Sequence, residues 1–92
     1  MTNREKVYEV IDSERAYQDE RWNVETTSSK GIHTNTEFLV YVQDYVNEAL
    51  HFASRNSNDV VIEFTQHAFR KIAALAVAAM EQNGVAERSS RT

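Results

Sequence analysis

The chain of 92 residues contains no cysteine and no proline, and it contains only two glycines. Without cysteine there can be no disulfide, no thiolate chemistry and no cysteine-based zinc site. Proline and glycine are the residues that most often interrupt helices, so their scarcity favours long, continuous helices. The expected fold is therefore all-α, with one modest core in a single domain.

Long hydrophobic runs and a strong charge of one sign are also missing. The longest wholly apolar run is residues 72–80, whereas a helix needs about 20 apolar residues to span a bilayer. The first residues lack the apolar stretch of a signal peptide. A net charge of −4 and a pI near 5.3 argue against general affinity for the nucleic-acid backbone. These absences predict a cytoplasmic protein that binds neither membranes nor nucleic acids.

A capping signal and a hydrophobic period of about 3.6 residues indicate the first helix. Thr2 and Glu5 fit a capping box, in which a hydroxyl and a carboxylate bond free N–H groups at a helix start. The helix is expected to end between Glu20 and Trp22. Residues 23–33 are polar, rich in threonine and serine, and include a glycine, which predicts an exposed loop.

The second helix has a capping box of its own at Thr34 and Glu37 and is expected to continue to about Ser54. Its apolar side chains recur at helical spacing along one broad face. The turn that follows offers Asn58 or Asp59 as the cap of the next helix. The apolar face consists of Phe38, Tyr41, Val42, Tyr45, Val46, Ala49, Phe52 and Ala53.

The third helix is expected over residues 59–83, with Gly84 as its stop. Its segment 72–80 is apolar on every side and rich in alanine, which is typical of a helix that is buried all round. Two partner helices from one small chain can hardly cover such a helix, so a helical-bundle homo-oligomer is expected. The alternative is a monomer with an alanine-rich core helix. Residues 1–84 would form one helical domain, and residues 85–92 would form a disordered tail.

The first helix carries polar side chains where a core-facing helix is normally apolar. At about 100° per residue, Glu14, Gln18 and Arg21 share a face with the apolar residues of that helix. An unpaired carboxylate or amide on a buried face is costly. The face therefore either opens onto a cavity or meets groups that satisfy it. The apolar residues of the face are Val7, Val10, Ile11 and Tyr17, with Trp22 at its edge.

The polar residues of the first helix form the first candidate site. An indole beside guanidinium groups can stack a nucleobase while an arginine holds a phosphate. The same residues can instead form an internal network, with Glu14 paired to Arg21 or Lys71 and the indole closing the end of the bundle. Both interpretations stay open. The set is Glu14, Arg15, Gln18, Arg21 and Trp22.

An acidic edge on the second helix is the second candidate. Glu37, Asp44, Glu48 and His51 lie along one flank of the apolar face. Carboxylates four residues apart on a helix can bind Mg²⁺ in helical bundles, because this hard cation prefers oxygen ligands. The alternative is an edge that is simply solvated.

Two further candidates involve histidine. Glu63, His67 and Arg70 follow one another at spacings of four and three, which predicts an internally paired surface row. A phosphate-binding role for Arg70 or Lys71 is the alternative. His33 lies just before a helix N-terminus, where an anion can bind, although a lone loop histidine often has no function.

Short motifs carry a resemblance to a known family. Residues 11–22 read IDSERAYQDERW and resemble the opening of small helical proteins common in tailed phages, with the pattern ER-x-x-Q-x-x-x-W. In those proteins a histidine-containing loop follows, then a helix with an acidic start, then a segment like residues 70–84. The chain is similar over roughly residues 7–84 to the MazG-like, all-α nucleotide pyrophosphohydrolases.

The resemblance implies a helical-bundle oligomer that cleaves nucleoside triphosphates with Mg²⁺ held by two pairs of acidic residues. Here the first pair would be Asp44 and Glu48, whose spacing differs from the Glu-x-x-Glu of the family. Where the second pair belongs stand Arg70 and Lys71, which would repel Mg²⁺ and attract a phosphate. The chain is therefore expected to bind a nucleotide without catalysis and without a cofactor.

In a phage, such a protein would act in the host cytoplasm by sequestering a signalling nucleotide of the host defence. Arg15, Arg70 and Lys71 are expected to bind phosphates. Trp22 or Tyr17 would stack the base, and the amide and carboxylate of the first helix would bond the base or the ribose. The expected ligand site is Glu14, Arg15, Tyr17, Gln18, Arg21, Trp22, His33, Arg70 and Lys71.

Two alternative functions remain open. The first is a Mg²⁺-dependent MazG-like pyrophosphohydrolase whose metal ligands include Asp44 and Glu48. The second is a phage protein that inhibits a host protein through the face of the first helix, because exposed aromatic and arginine residues are typical of binding hot spots. In that case the acidic edge of the second helix would steer a basic partner.

Overall fold

Three helices make up the architecture in a computed structural model that describes residues 2–23 and 31–89. They are α1 (Asn3–Arg21), α2 (Asn35–Ala53) and α3 (Asn58–Asn83). The described residues contain no strand, so the all-α prediction with three helices is confirmed. Within these two ranges, no helix combines the length and hydrophobicity that a bilayer span requires. Most of the predicted loop and the last residues of the predicted tail lie outside the described residues.

The helix starts follow the capping signals of the sequence. At α2 the full capping box is present: Thr34 Oγ1 accepts the Glu37 N–H at 3.1 Å, and Glu37 Oε1 accepts the Thr34 N–H at 2.9 Å. At α1 only half of the box forms. Thr2 Oγ1 accepts the Glu5 N–H, but the Glu5 carboxylate accepts the Thr2 hydroxyl rather than its backbone N–H.

The third helix begins one residue earlier than predicted. Its N-cap is Ser57 and neither Asn58 nor Asp59, and no side chain makes a capping hydrogen bond there. Its end is as predicted: Gly84 has a φ of 97° and donates its N–H to the carbonyl of Met80. Glycine adopts this positive φ without the strain that a Cβ would cause.

Helix α3 lies at the centre and packs against both α1 and α2, which do not pack against each other. The α2–α3 contact is apolar, with Phe38, Leu75 and Ala78 buried at its centre. At the far end of this helix pair, Phe52 and Phe64 stack with ring centroids 4.0 Å apart. Burial of these apolar surfaces holds the two helices together.

Helix α1 packs against α3 in a different way. Its only buried residues are Glu14, Arg15 and Gln18. The side chains that give α1 its hydrophobic period lie largely outside, since Val7 is 55% exposed and Tyr17 is 51% exposed. Helix α1 is thus oriented so that polar residues of its mixed face, Glu14 and Gln18, lie against α3.

The end of α3 holds the chain segment that leads into α2. The Gln82 side chain accepts the His33 N–H at 2.9 Å and donates to the Gly31 carbonyl at 2.8 Å. Asn83 donates to the His33 carbonyl. Gly31 has a φ of 76°, and a Cβ added there would collide with the backbone carbonyl of Trp22. These contacts bring the start of α2 and the end of α1 together beside the last turn of α3.

Candidate functional site

A cavity of about 200 Å³ lies where the three helices meet, and we call it the interhelical cavity. It contains six of the nine residues predicted for the ligand site, together with Tyr45 of α2, which the sequence had indicated only as part of an apolar face. Its lining residues are Glu14, Tyr17, Gln18, Arg21, Trp22, Tyr45 and Lys71.

The carboxylate of Glu14 is paired across the α1–α3 contact. Its side chain is only 10% exposed, and its Oε1 accepts a hydrogen bond from Nε of Arg70 at 2.6 Å. The partner is therefore Arg70, whereas an internal network was expected to use Arg21 or Lys71. Arg70 is also hydrogen-bonded to His67, and His67 lies 3.8 Å from a carboxylate oxygen of Glu63. The predicted paired row on α3 is thus present.

Arg15 lies outside the interhelical cavity and is held by carboxylates. Its Nε and Nη2 bind the two carboxylate oxygens of Glu81 at 2.8 and 3.1 Å, and Nη2 also binds Asp19 at 2.9 Å. The hydrogen bonds that Arg15 donates to Glu81 raise the pKa of Arg15 and lower the pKa of Glu81. This bidentate pair ties α1 to the last turns of α3.

The two cations of the cavity lie against aromatic rings. The Nζ of Lys71 is 5.5 Å from the ring centroid of Tyr45, and the guanidinium of Arg21 is 5.8 Å from that of Tyr17. Among the described residues, no carboxylate forms an ion pair with Lys71. Burial raises the pKa of Tyr45, and the charge of Glu48 adds to the effect. The phenol therefore stays protonated at neutral pH.

Gln18 places an amide between the two helices that enclose the cavity. Its Nε2 lies 3.5 Å from the backbone carbonyl of Lys71, and its Oε1 lies 3.4 Å from Nη1 of Arg15. Both contacts are long for N–H···O hydrogen bonds. The amide of this buried residue therefore makes only weak hydrogen bonds to α1 and α3.

A second pocket, of about 240 Å³, adjoins the cavity and is called the acidic aromatic pocket. It is lined by Trp22, Tyr41, Asp44, Tyr45 and Glu48. Two of these residues, Trp22 and Tyr45, also line the interhelical cavity, so the same two rings form walls of both spaces. The two carboxylates are exposed, and no described cation forms an ion pair with them.

The donor set around Asp44 and Glu48 does not fit a bound Mg²⁺. Within residues 2–23 and 31–89, no group of three or more histidine, cysteine, aspartate or glutamate side chains could hold a metal ion. Mg²⁺ requires near-octahedral oxygen coordination, usually with carboxylates supported by substrate phosphates. Two exposed carboxylates beside three aromatic rings supply only a small part of such a site.

His33 lies outside the interhelical cavity, in the aromatic cluster that supports Trp22. Its ring meets those of Trp22, Phe38 and Tyr41 edge to face, with centroids 6.1, 5.5 and 5.1 Å away. Its Nδ1 also lies 3.5 Å from a carboxylate oxygen of Glu37. His33 therefore acts on the site by packing against the indole.

Sequence reasoning missed the contributions of Tyr41, Tyr45 and Glu81. The tyrosines were assigned to the apolar face of α2, although their spacing with Asp44 and Glu48 puts all four on one side of that helix. Glu81 gave no signal, because it is a single acid that follows a long apolar run. Its pairing with Arg15 depends on how two distant helices cross.

The polar residues on the apolar face of α1 thus lie at a cavity between helices, which aromatic, cationic and amide groups line. Comparison with protein-family models, with curated proteins and with solved structures gives no match for this chain.

Proposed function

We propose that the chain binds a nucleotide or a nucleotide-derived ligand without turning it over, and that it does so as a homo-oligomer. The observation that carries this proposal is the interhelical cavity, where the Trp22 and Tyr45 rings lie beside the cations of Arg21 and Lys71. Aromatic rings stack bases, and cationic side chains beside them bind phosphates.

Lys71 is the phosphate ligand that this arrangement favours. Its ammonium group lies on the face of the Tyr45 ring and forms no ion pair with a described carboxylate. Arg15 and Arg70, also predicted as phosphate ligands, are bound by Glu81 and Glu14. In this proposal the two arginines hold the walls of the site, and Lys71 with Arg21 contacts the anion.

The proposed biological role follows from the resemblance to MazG-like proteins of tailed phages. A phage protein that keeps the fold of a nucleotide hydrolase without a complete metal site would retain the ligand and not cleave it. Such a protein would sequester a signalling nucleotide of the host defence. Sequestration depends on affinity and on the number of sites, and a small oligomer supplies several sites per particle.

Isothermal titration calorimetry against linear and cyclic nucleotides, with and without Mg²⁺, tests the proposal. We expect binding at micromolar concentrations that does not require Mg²⁺. Lys71→Gln should weaken binding at least tenfold, and Lys71→Arg should retain most of it. Arg55→Gln is the matched control, because it removes one positive charge at an exposed position in the α2–α3 turn.

Absence of binding by every nucleotide of the panel would refute the proposal. A parallel assay for pyrophosphate release from nucleoside triphosphates addresses catalysis. Mg²⁺-dependent release that is lost in Asp44→Ala or Glu48→Ala would replace the binding proposal with the pyrophosphohydrolase alternative.

The oligomer part of the proposal rests on an apolar surface that the three helices leave uncovered. Two grooves of about 480 and 500 Å³ run along α3, one shared with α1 and one shared with α2, and they meet at Ile72. We call this surface the outer apolar face. Its apolar residues outside the buried core are Val7, Val10, Ile11, Leu39, Val42, Phe69, Ile72, Ala73, Ala76, Ala79 and Met80.

The total exposed surface favours a second copy of the chain as the partner of this face. The chain exposes 7296 Å², whereas a compact monomer of its mass exposes about 5,500 Å². The radius of gyration is 14.9 Å, against about 12.3 Å for a compact domain of this length. A standard protein interface covers about 800 Å² on each partner, and we expect the outer apolar face to supply such an interface in a dimer.

Sedimentation velocity of the purified chain tests this assembly. We expect a dimer or a higher oligomer at micromolar concentration, and Phe69→Glu or Ala76→Glu should shift it toward the monomer. Val40→Glu is the control, because Val40 is 53% exposed but does not line either groove. A wild-type monomer that gains mass only when host lysate is added would favour the alternative in which the face binds a host protein.

A further inference from the structure

The two adjoining spaces of the site have opposite electrical character. The interhelical cavity contains the cations of Arg21 and Lys71 and one carboxylate, that of Glu14, which is paired with Arg70. The described lining of the acidic aromatic pocket contains two carboxylates and no cation. Trp22 and Tyr45 are walls of both. A ligand that lies against these rings therefore has a positive environment at one end and a negative environment at the other.

The aromatic walls of the acidic aromatic pocket suit a flat ligand group. Tyr41, Asp44, Tyr45 and Glu48 lie within two turns on one side of α2. Trp22 approaches from the end of α1, with its ring centroid 6.2 Å from that of Tyr41 and the two planes inclined by 37°. Walls of this kind stack on heterocycles, and stacking alone does not distinguish one base from another.

The carboxylates of Asp44 and Glu48 can distinguish one base from another by hydrogen bonding. An ionised carboxylate only accepts hydrogen bonds, and no described cation pairs with either of them. A base that faces them must therefore offer donors. Guanine offers two adjacent donors on one edge, N1–H and the 2-amino group, which match the two oxygens of a carboxylate. Adenine and cytosine place an acceptor nitrogen beside their amino group, and uracil flanks its single N–H with carbonyl oxygens.

We infer that the acidic aromatic pocket binds guanine, so that the ligand is a guanine nucleotide. This inference rests on the proposed function, because it takes the phosphate to lie at Lys71 in the adjoining cavity. The base stacks on Trp22 and Tyr45, and its N1–H and 2-amino groups donate to the carboxylates of Asp44 and Glu48. The negative end of the site rejects bases that present acceptors there.

Calorimetric titration with a set of small ligands separates the base from the phosphate. GMP, inosine monophosphate, AMP and UMP carry the same phosphate on different bases. Ribose 5-phosphate lacks the base, and guanosine lacks the phosphate. We expect GMP to bind about tenfold more tightly than inosine monophosphate, which lacks only the 2-amino group, and more tightly still than AMP or UMP. Quenching of Trp22, the only tryptophan, should accompany binding of guanosine and GMP.

Matched variants connect the preference to the pocket. Asp44→Asn and Glu48→Gln should bring the affinity ratio of GMP to inosine monophosphate toward one without changing the affinity for ribose 5-phosphate. Glu63→Gln is the control, because it removes an exposed carboxylate that does not line the pocket. Lys71→Gln should weaken all phosphate-bearing ligands by a similar factor and leave the base preference intact.

The outcomes of these titrations distinguish a failure of the guanine inference from a failure of the proposed nucleotide binding. Equal affinity for the four nucleotides would overturn the inference and leave nucleotide binding standing. If no nucleotide or nucleoside binds, the proposed function fails and the inference fails with it. Binding of guanosine without any contribution from the phosphate would keep the pocket and remove the phosphate site at Lys71. Tighter binding of phosphocholine than of GMP would overturn the inference, because the pocket would then select a cation rather than a base edge.

Discussion

Helix α3 contacts its two partners through opposite kinds of surface. Toward α2 it buries Leu75 and Ala78 against Phe38, and toward α1 it buries the charges of Glu14 and Arg15. Apolar contact is non-directional and tolerates small shifts, whereas bidentate ion pairs fix orientation. The α2–α3 contact therefore supplies the stability of the fold, and the α1–α3 contact sets the positions of the side chains that line the cavity.

The largest effect is expected at the apolar contact. Leu75 is fully buried, and Leu75→Ala should lower the free energy of unfolding by about 2–5 kcal/mol, through lost burial and the cavity left behind. Urea denaturation followed by circular dichroism measures this change. Val40→Ala, at an exposed position, should change the stability by less than about 0.5 kcal/mol. A loss at Leu75 no larger than at Val40 would contradict the assignment of stability to this contact.

A smaller effect is expected when the polar contact is broken on one side. Arg70→Met leaves the Glu14 carboxylate, which is only 10% exposed, without its partner, and should cost about 2 kcal/mol. Replacing both residues, as Glu14→Leu with Arg70→Met, should restore the stability to within about 1 kcal/mol of the wild type, since apolar pairs often substitute for buried ion pairs.

Urea denaturation of both single variants and the double variant gives the coupling between Glu14 and Arg70. We expect the double variant to be more stable than Arg70→Met alone, and to bind nucleotide more weakly than the wild type because the cavity wall has changed. A double variant that is as unstable as the sum of the single variants would give a coupling energy of zero, and it would contradict the assignment of Arg70 as the partner that satisfies the Glu14 carboxylate.

The helix caps provide the third comparison. Thr34→Ala removes a complete capping box and should cost about 1 kcal/mol. Thr2→Ala removes a cap at which the Glu5 carboxylate bonds the Thr2 hydroxyl and not the Thr2 backbone N–H. The cost of this substitution should therefore be smaller. Thermal melts of the two variants give the difference. An equal loss at both positions would mean that the second half of the box contributes nothing at α2.

The smallest effect is a dependence on pH. The hydrogen bond from Arg15 lowers the pKa of Glu81 from its ordinary value of 4.5, so the unfolded chain takes up protons at a higher pH than the folded chain. The stabilisation is therefore complete above the unfolded pKa and is lost as the pH falls through the folded pKa. The urea midpoints of wild type and Glu81→Gln should differ most near pH 7 and converge as the pH falls below the folded pKa of Glu81. A difference that does not change with pH would contradict this sign.

The helices were predictable from local signals, and the partners across helices were not. Capping residues marked the starts of α1 and α2, and Gly84 marked the end of α3. The period of α1 identified Glu14, Gln18 and Arg21 as polar side chains that meet either a cavity or groups that satisfy them. Periodicity gives the face of a helix but not its neighbour. The assignment of Arg70 to Glu14 depends on the crossing of α1 over α3, which no single segment encodes.

The same reason explains why the sequence does not say what covers the apolar residues of α1. Val7 and Val10 share the helical period of a core face, yet they lie beside an open groove. Their period is consistent with burial against a second copy of the chain. A sequence pattern does not distinguish a contact between two chains from a contact within one chain. Tyr45 is the opposite case. Its helical spacing assigned it to the apolar face of α2, and the structure places it in the lining of the cavity.

The contact between Gly31 and the carbonyl of Trp22 makes the connection between α1 and α2 tolerant of insertions. The chain leaves α1 and returns toward α2 at nearly the same point in space, and the Gln82 side chain holds the returning segment at Gly31 and His33. When the two ends of a connection are fixed together by the folded helices, its length costs little, because the closure entropy grows only slowly with the number of residues. Sequences of different length can therefore be placed between Trp22 and Gly31 without rearranging the helices.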